Sequence, residues 1–167
     1  MNLRFTPATA FVLAAIALLG HVAFHYPALP QNVARHFDWR GRPNGFSSKE
    51  AFLIMNVAIV AFFALLFWAM GYAQKLAPQF VNIPNKAYWL SAERREASMA
   101  FITNWARWLL ALVMALNVLL MGSLLHANLS QPIEIGDSPL YETAAFFGIF
   151  AGMVVWLLRR FPRPPAQ

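Results

Sequence analysis

Four long uncharged runs, separated by polar segments, set the pattern of the chain. The first, Phe5 to Phe24, holds 20 residues, about the 30 Å that a helix rising roughly 1.5 Å per residue needs to cross a hydrocarbon core. The second, Ala51 to Ala73, ends in Trp68 and Tyr72, aromatics that suit the headgroup level. The third, Trp108 to Leu125, is preceded by an amphipathic stretch from about Ser91 that carries Glu93, Arg94, Arg95 and Glu96. This predicts one long helix that emerges from the membrane. The fourth, Leu140 to Leu158, has one acid near its start, Glu142, and is stopped by Arg159, Arg160 and Arg163. The pattern predicts an all-α membrane protein with four transmembrane helices at about 5–24, 51–73, 104–126 and 140–158. These lie in one domain, 1–160, followed by a Pro/Arg-rich tail, 161–167, too short to fold alone. An ordered external loop joins helices 1 and 2, and helix 3 has a cytoplasmic extension.

Composition supports lipid as the solvent. Hydrophobic residues make up 59% of the chain and charged residues 12%, with a mean hydropathy of +0.50, more apolar than a soluble domain of this size. The net charge of +6 and pI near 10.3 invite a nucleic-acid reading in a soluble protein. Here the cations sit at the ends of apolar runs, so they read as topology signals and no nucleic-acid partner is expected. Of the 13 Lys and Arg residues, nine (Arg4, Lys75, Lys86, Arg94, Arg95, Arg107, Arg159, Arg160 and Arg163) fall on the side of the termini. Arg35, Arg40, Arg42 and Lys49 fall opposite. The positive-inside rule then predicts a multi-pass protein of the bacterial inner membrane with both termini cytoplasmic. A signal peptide is the rival reading of the first run, but no small-x-small cleavage site follows it, which favours an uncleaved anchor. Cysteine is absent, excluding disulfides and thiolate metal sites.

Between the first two spans, residues 25–49 are dense in turn formers: Pro27, Pro30, Gly41, and Pro43-Asn44-Gly45. Val33, Phe37, Trp39 and Phe46 offer apolar anchors, so the segment reads as a compact loop folded on the helix ends. Gly41 and Gly45 are expected to supply backbone freedom there, and Ser47 with Glu50 has capping-box spacing for the second helix. Between the second and third spans, Pro84, Asn85, Tyr88 and Trp89 read as an interfacial turn, with a cytoplasmic docking surface including Arg94 and Arg95 as the alternative.

The stretch Leu29-Pro30, His36-Phe37, Gly41-Arg42-Pro43-Asn44-Gly45 and Ser48-Lys49 resembles the motif of the bacterial membrane-domain family called domain of unknown function 1648. That domain forms the amino-terminal part of SdpI-type signal-transduction and immunity proteins. A second stretch, Asn82, Pro84, Asn85, Tyr88, Trp89, Leu90 and Glu93-Arg94-Arg95, is similar to the segment after the second span in single-domain members. The resemblance covers about the first two thirds of the chain. It implies a polytopic inner-membrane protein and suggests signalling or immunity, with Pro30, His36, Phe37, Asp38, Gly41, Pro43, Asn44 and Gly45 as the recognition loop.

Candidate chemistry gathers at one membrane level. His21 and His25 are a helical turn apart, and His36, Asp38, His126 or Glu142 could complete a divalent-metal site. The alternative is a set of interfacial histidines bonded to headgroups, backbone or water. Asp38 is placed to orient His36, although no nucleophile, paired-carboxylate or phosphate-loop signature accompanies them. Arg107, between Trp105 and Trp108, reads as an anchor to headgroups, with anionic-lipid binding as an extension. Asn56 and Asn117, within spans, are expected to find interhelical partners. Ala144, Gly148 and Gly152 recur every four residues and allow close approach, by default inside the monomer, alternatively in a homodimer.

The leading functional reading is a non-enzymatic membrane protein that recognises a partner or lipid, with no cofactor predicted. The alternative is a transporter or metal-dependent membrane enzyme using the outer His/Glu cluster.

Overall fold

The computed structural model describes residues 5–76 and 81–162, and of residues 73–76 the backbone only. Arg4, Arg163 and the tail beyond Pro162 lie outside the described residues, as does the side chain of Lys75. Four helices are long and apolar enough to cross a membrane, so the chain is a multi-pass membrane protein. In order the elements are α1 (Pro7–His25), a 3-10 turn (Tyr26–Ala28), β1 (Asn32–Phe37), β2 (Pro43–Ser48), α2 (Lys49–Leu76), the single turn α3 (Lys86–Trp89), α4 (Arg95–Leu129) and α5 (Ser138–Arg160).

Local chemistry sets the helix starts. The Thr6 hydroxyl accepts the Thr9 amide at 3.1 Å, and Pro7, which has no N–H to leave unpaired, opens α1. The Ser48 hydroxyl accepts the Ala51 amide at 3.2 Å. Ser48, rather than the expected Ser47, therefore caps α2. The Ser47 hydroxyl points inward and is buried without a partner. At 35 residues, α4 extends about 52 Å, past the span at both ends, and it starts at Arg95 rather than near Ser91.

The expected loop is a β-hairpin, so the fold is not all-α. The strands β1 and β2 pair antiparallel, Asn32 opposite Ser48 through Phe37 opposite Pro43, with irregularities around His36. Pro43, Asn44 and Gly45 belong to a strand, and the turn is made by residues 38–42. There the Asp38 carboxylate accepts the amides of Arg40 (2.8 Å) and Arg42 (2.9 Å), and Gly41 takes φ +76°, the left-handed region that side chains disfavour.

The central element is α4. Phe11 and Leu18 of α1, Phe67 of α2, and Ala111 and Met114 of α4 form one buried cluster. At the hairpin end Val22, Leu29, Val33, Phe52 and Leu125 form a second, which seats the hairpin on the helices. Along its other side α5 packs on α4, where the Trp105 indole N–H donates to the Met153 carbonyl at 2.8 Å and Phe101 meets Trp156 edge to face. Many large apolar side chains of the helices, Ile16, Phe62, Leu65 and Phe147 among them, are exposed, as expected where lipid replaces a protein core.

Asn56 and Asn117 do not reach other helices. Each amide donates to the carbonyl one turn earlier in its own helix, Phe52 and Val113, both at 2.9 Å. The Asn56 carbonyl oxygen is buried without a partner. Ala144, Gly148 and Gly152 are exposed on α5, and methyl groups on the two glycines would meet nothing within 4 Å. The small-residue stripe therefore does not pack inside the monomer.

Candidate functional site at the hairpin end

Asn128, near the last turn of α4 and buried, locks the hairpin to the bundle. Its carbonyl oxygen accepts the Ala34 amide at 2.7 Å, and its amide donates to the Ala34 carbonyl at 2.8 Å and to Leu124 one turn back at 3.0 Å. A side-chain amide thus pairs with the edge of β1 as a neighbouring strand would, satisfying backbone groups that β2 leaves open. A second tie joins the turn to the connection between α4 and α5, where the Ile135 amide donates to the Gly41 carbonyl at 2.9 Å.

The recognition-loop residues divide. Pro30 follows Leu29 as the chain enters the hairpin, and Phe37 and Asp38 line a cavity of about 600 Å³ with Trp39, Arg40 and Gly41 on one side and Ile135, Gly136, Asp137, Pro139 and Leu140 on the other. Trp39 and Phe46 are not buried against the helix ends: Trp39 is 86% exposed and Phe46 50%. The Arg40 guanidinium lies 4.6 Å from the Trp39 ring centre, an exposed cation–π pair. His36 is exposed and stands across from Gly45. Asp38 is committed to the turn amides and does not orient it. Gly45 has no unusual φ; a methyl group there would lie 2.9 Å from the His36 Cβ, so its role is cross-strand room. Gly45→Val is accordingly expected to lower the thermal midpoint of the detergent-solubilised protein, and His36→Gly in the same chain to restore part of the loss. Equal midpoints for Gly45→Val with and without His36→Gly would show that the contact is not the cause.

Beneath the hairpin a second cavity of about 420 Å³ is lined by His21, Val118, Leu119, Gly122, Ser123, His126, Ser138 and Glu142. The Ser123 hydroxyl donates to Glu142 Oε1 at 2.9 Å and lies 2.8 Å from the Ser138 hydroxyl. Glu142 Oε2 is buried with no partner. The His21 ring sits over Gly122, whose Cα could not carry a methyl group without bringing it to 3.4 Å of the imidazole. His25 stacks at a tilt on His21, ring centres 5.0 Å apart, and does not line the cavity.

Of the six metal candidates, His21, His126 and Glu142 line this one cavity, His25 adjoins His21, and His36 and Asp38 stand apart on the hairpin. Among the described residues no group of three or more His, Asp or Glu side chains is placed to hold a metal ion. The polar company of Glu142 is serine, and the arrangement suits a hydrogen-bonded or cationic small ligand better than a metal.

At the opposite end, the Asn85 amide and the Trp89 indole both donate to the Pro162 carbonyl, at 3.2 and 3.1 Å. Arg160 lies over Trp89, Phe101 and Phe161 at 5.5–5.9 Å, and Arg94 over Tyr88 at 4.1 Å. These residues tie the segment after α2 to the end of α5, and Asn85 itself takes the left-handed φ of 55° that follows the exposed Pro84. Arg95 remains exposed. Glu93, solvent-exposed, has its carboxyl held below the usual carboxylate range by the Ser91 hydroxyl, by its own backbone amide and by the Arg94 charge.

Asn128, Ser123 and Ser138 escape a reading that looks for charge and histidine. For the two serines the signal is spacing: Ser123 precedes His126 by three residues and Ser138 precedes Glu142 by four, so each pair shares a helix face.

Residues 12–60 match the family described as a domain of unknown function (DUF1648). The matched segment runs from α1 through the whole hairpin into α2, so it includes every recognition-loop residue named above. No curated protein and no solved structure matches the chain.

Proposed function

We propose that this multi-pass protein, which carries the DUF1648 domain across its hairpin, is a non-enzymatic recognition protein of the bacterial inner membrane. Its termini are cytoplasmic and its hairpin faces outward. The observation that carries the reading is Trp39, 86% exposed at the tip of a turn held by Asp38 and tied to Ile135. An exposed indole beside a guanidinium, on a support that loses little freedom on binding, is the composition of an interface anchor. The excess of Lys and Arg on the side of the termini supports the orientation. The resemblance of residues 29–49 to the motif of SdpI-type proteins supports a role in signalling or immunity, with a protein partner at the hairpin.

The cavity of His21, Ser123, Ser138 and Glu142 favours a second reading, a transporter or ligand-binding protein, through the unpartnered Glu142 oxygen. Against transport, the polar groups deeper in the bundle, Asn56 and Asn117, are bonded within their own helices and mark no continuous path.

Because the chain has no cysteine, single cysteines report position cleanly. Arg40→Cys is expected to react with an impermeant maleimide in spheroplasts, and Ala87→Cys only after lysis; the reverse pattern overturns the orientation. A photo-crosslinker at position 39 is expected to yield a discrete protein adduct in cells. Adducts with lipid alone would remove the partner reading.

A further inference from the structure

We propose that Arg107, with the groove between α1 and α2, forms a binding site for one anionic phospholipid, its phosphate on the guanidinium and an acyl chain along the groove. The site is independent of the hairpin and of which side the termini occupy.

Arginine keeps its charge at any physiological pH, and within a bundle that charge needs a counter-ion. Among the described residues the ion pair formed is Arg94 with Glu93, so no carboxylate neutralises Arg107. Its Nε is buried and has no hydrogen-bond partner. The guanidinium lies 5.3 Å from the Phe67 ring centre, and Gly71 makes room for it: a methyl group at Gly71 would sit 2.7 Å from a terminal guanidinium nitrogen. The group is thus wedged between α4 and α2, packed on apolar surface, with a donor unused.

Its depth identifies the missing acceptor. Arg107 precedes Leu125, at the hairpin-end cluster, by 18 residues of continuous α4, or about 27 Å, close to the hydrocarbon thickness. Arg107 therefore sits at the headgroup level of the other leaflet, beside the exposed aromatics Trp68 and Tyr72. Phosphate oxygens are the abundant acceptors at that level, and their pairing with guanidinium is charge-assisted and can be bidentate.

The groove accounts for the rest of the lipid. About 250 Å³ in volume, it is walled by Ala8, Val12, Ile16 and Leu19 of α1 and by Val60 and Ala64 of α2, with Phe67 and Trp68 at the Arg107 end. Phe67 belongs both to the groove and to the surface under the guanidinium. From Ala8 to Leu19 is 11 residues, about 16 Å, the depth of one leaflet.

The test uses the full-length protein in a non-ionic detergent, followed by thermal midpoint and by native mass spectrometry. Phosphatidylglycerol is expected to raise the midpoint and to remain bound one per chain, phosphatidylcholine to do so less, and inorganic phosphate not at all. Arg107→Gln should weaken phosphatidylglycerol binding about tenfold, the worth of one charge-assisted hydrogen bond, and Arg107→Lys should weaken it less. Ala64→Phe, which fills the groove without touching the charge, should also weaken it, and keeps the test decisive if Arg107→Gln does not fold. Arg159→Gln, an exposed cation on α5, should leave binding unchanged. Equal losses from Arg159→Gln and Arg107→Gln would overturn the site in favour of diffuse charge attraction. Stabilisation by inorganic phosphate equal to that by phosphatidylglycerol would overturn the lipid as occupant, and binding unaffected by Ala64→Phe would overturn the groove.

Discussion

Asn128→Ala is expected to detach the hairpin from the bundle, at a cost of about 2–4 kcal/mol in stability. The estimate follows from what is left behind. Three hydrogen bonds disappear, and the Ala34 amide and carbonyl, on a residue with no exposed surface, lose their partners together. A typical exposed hydrogen bond contributes far less, because water replaces it; here both Ala34 and Asn128 are buried. Asn128→Asp should be at least as damaging, since a carboxylate can still accept from Ala34 but faces two carbonyls to which it cannot donate. Amide exchange at Ala34 is the direct measurement: protection should fall by at least tenfold in either variant, with exchange in the middle of α4 little changed. Unaltered protection at Ala34 would mean that the hairpin is held by its apolar contacts alone.

Gly41→Ala carries the second large effect, about 3 kcal/mol or more. Two penalties combine at this residue. A side chain at φ +76° costs roughly 1–2 kcal/mol, and the new methyl group would point into the Ile135 carbonyl oxygen, a backbone atom that cannot swing aside as a side-chain tip can. Relieving the clash means giving up the Ile135 to Gly41 hydrogen bond and parting the turn from the connection before α5. Gly136→Ala, at the residue directly after Ile135, meets nothing within 4 Å and serves as the control, with a change below about 0.5 kcal/mol. Thermal midpoints of the two variants in one detergent decide the matter. A Gly41→Ala protein as stable as Gly136→Ala would mean that the turn and the connection move independently.

These residues also show what a single sequence discloses. The spans were legible because lipid demands one property, absence of charge over about 20 residues, and Phe5 to Phe24 or Ala51 to Ala73 display it without reference to anything distant. The hairpin is not legible because β1 breaks the usual alternation and β2 does not look like a strand in composition. Val33 and Ala34 are both buried, Pro43-Asn44-Gly45 has the composition of a turn, and an edge strand tolerates proline because no partner needs its N–H. Gly41 takes the left-handed φ that its turn context suggests, while Gly45 contributes cross-strand room rather than backbone freedom. The polar cavity was half legible: His21, His126 and Glu142 share a membrane level that helix lengths alone establish. Whether they face one another depends on helix rotation, which packing against α4 decides. Asn128 lay outside any local pattern, since its partner is 94 residues away.

That separation has a consequence in time. Ribosomes add about 5–20 residues per second, so Ala34 waits on the order of 5–20 s before Asn128 exists. During that interval β1 and β2 can pair, and Ala34 lacks its partner on α4. Closure requires α4 to be threaded through the bilayer along nearly its whole length, because Asn128 lies at its far end. The half-made protein thus leaves the amide and carbonyl of Ala34 without the partner that Asn128 gives them in the finished one. Completion of the third crossing is reported on the hairpin side by the pairing of Ala34 with Asn128, which gives a folding factor that binds open strands a physical criterion for when to let go.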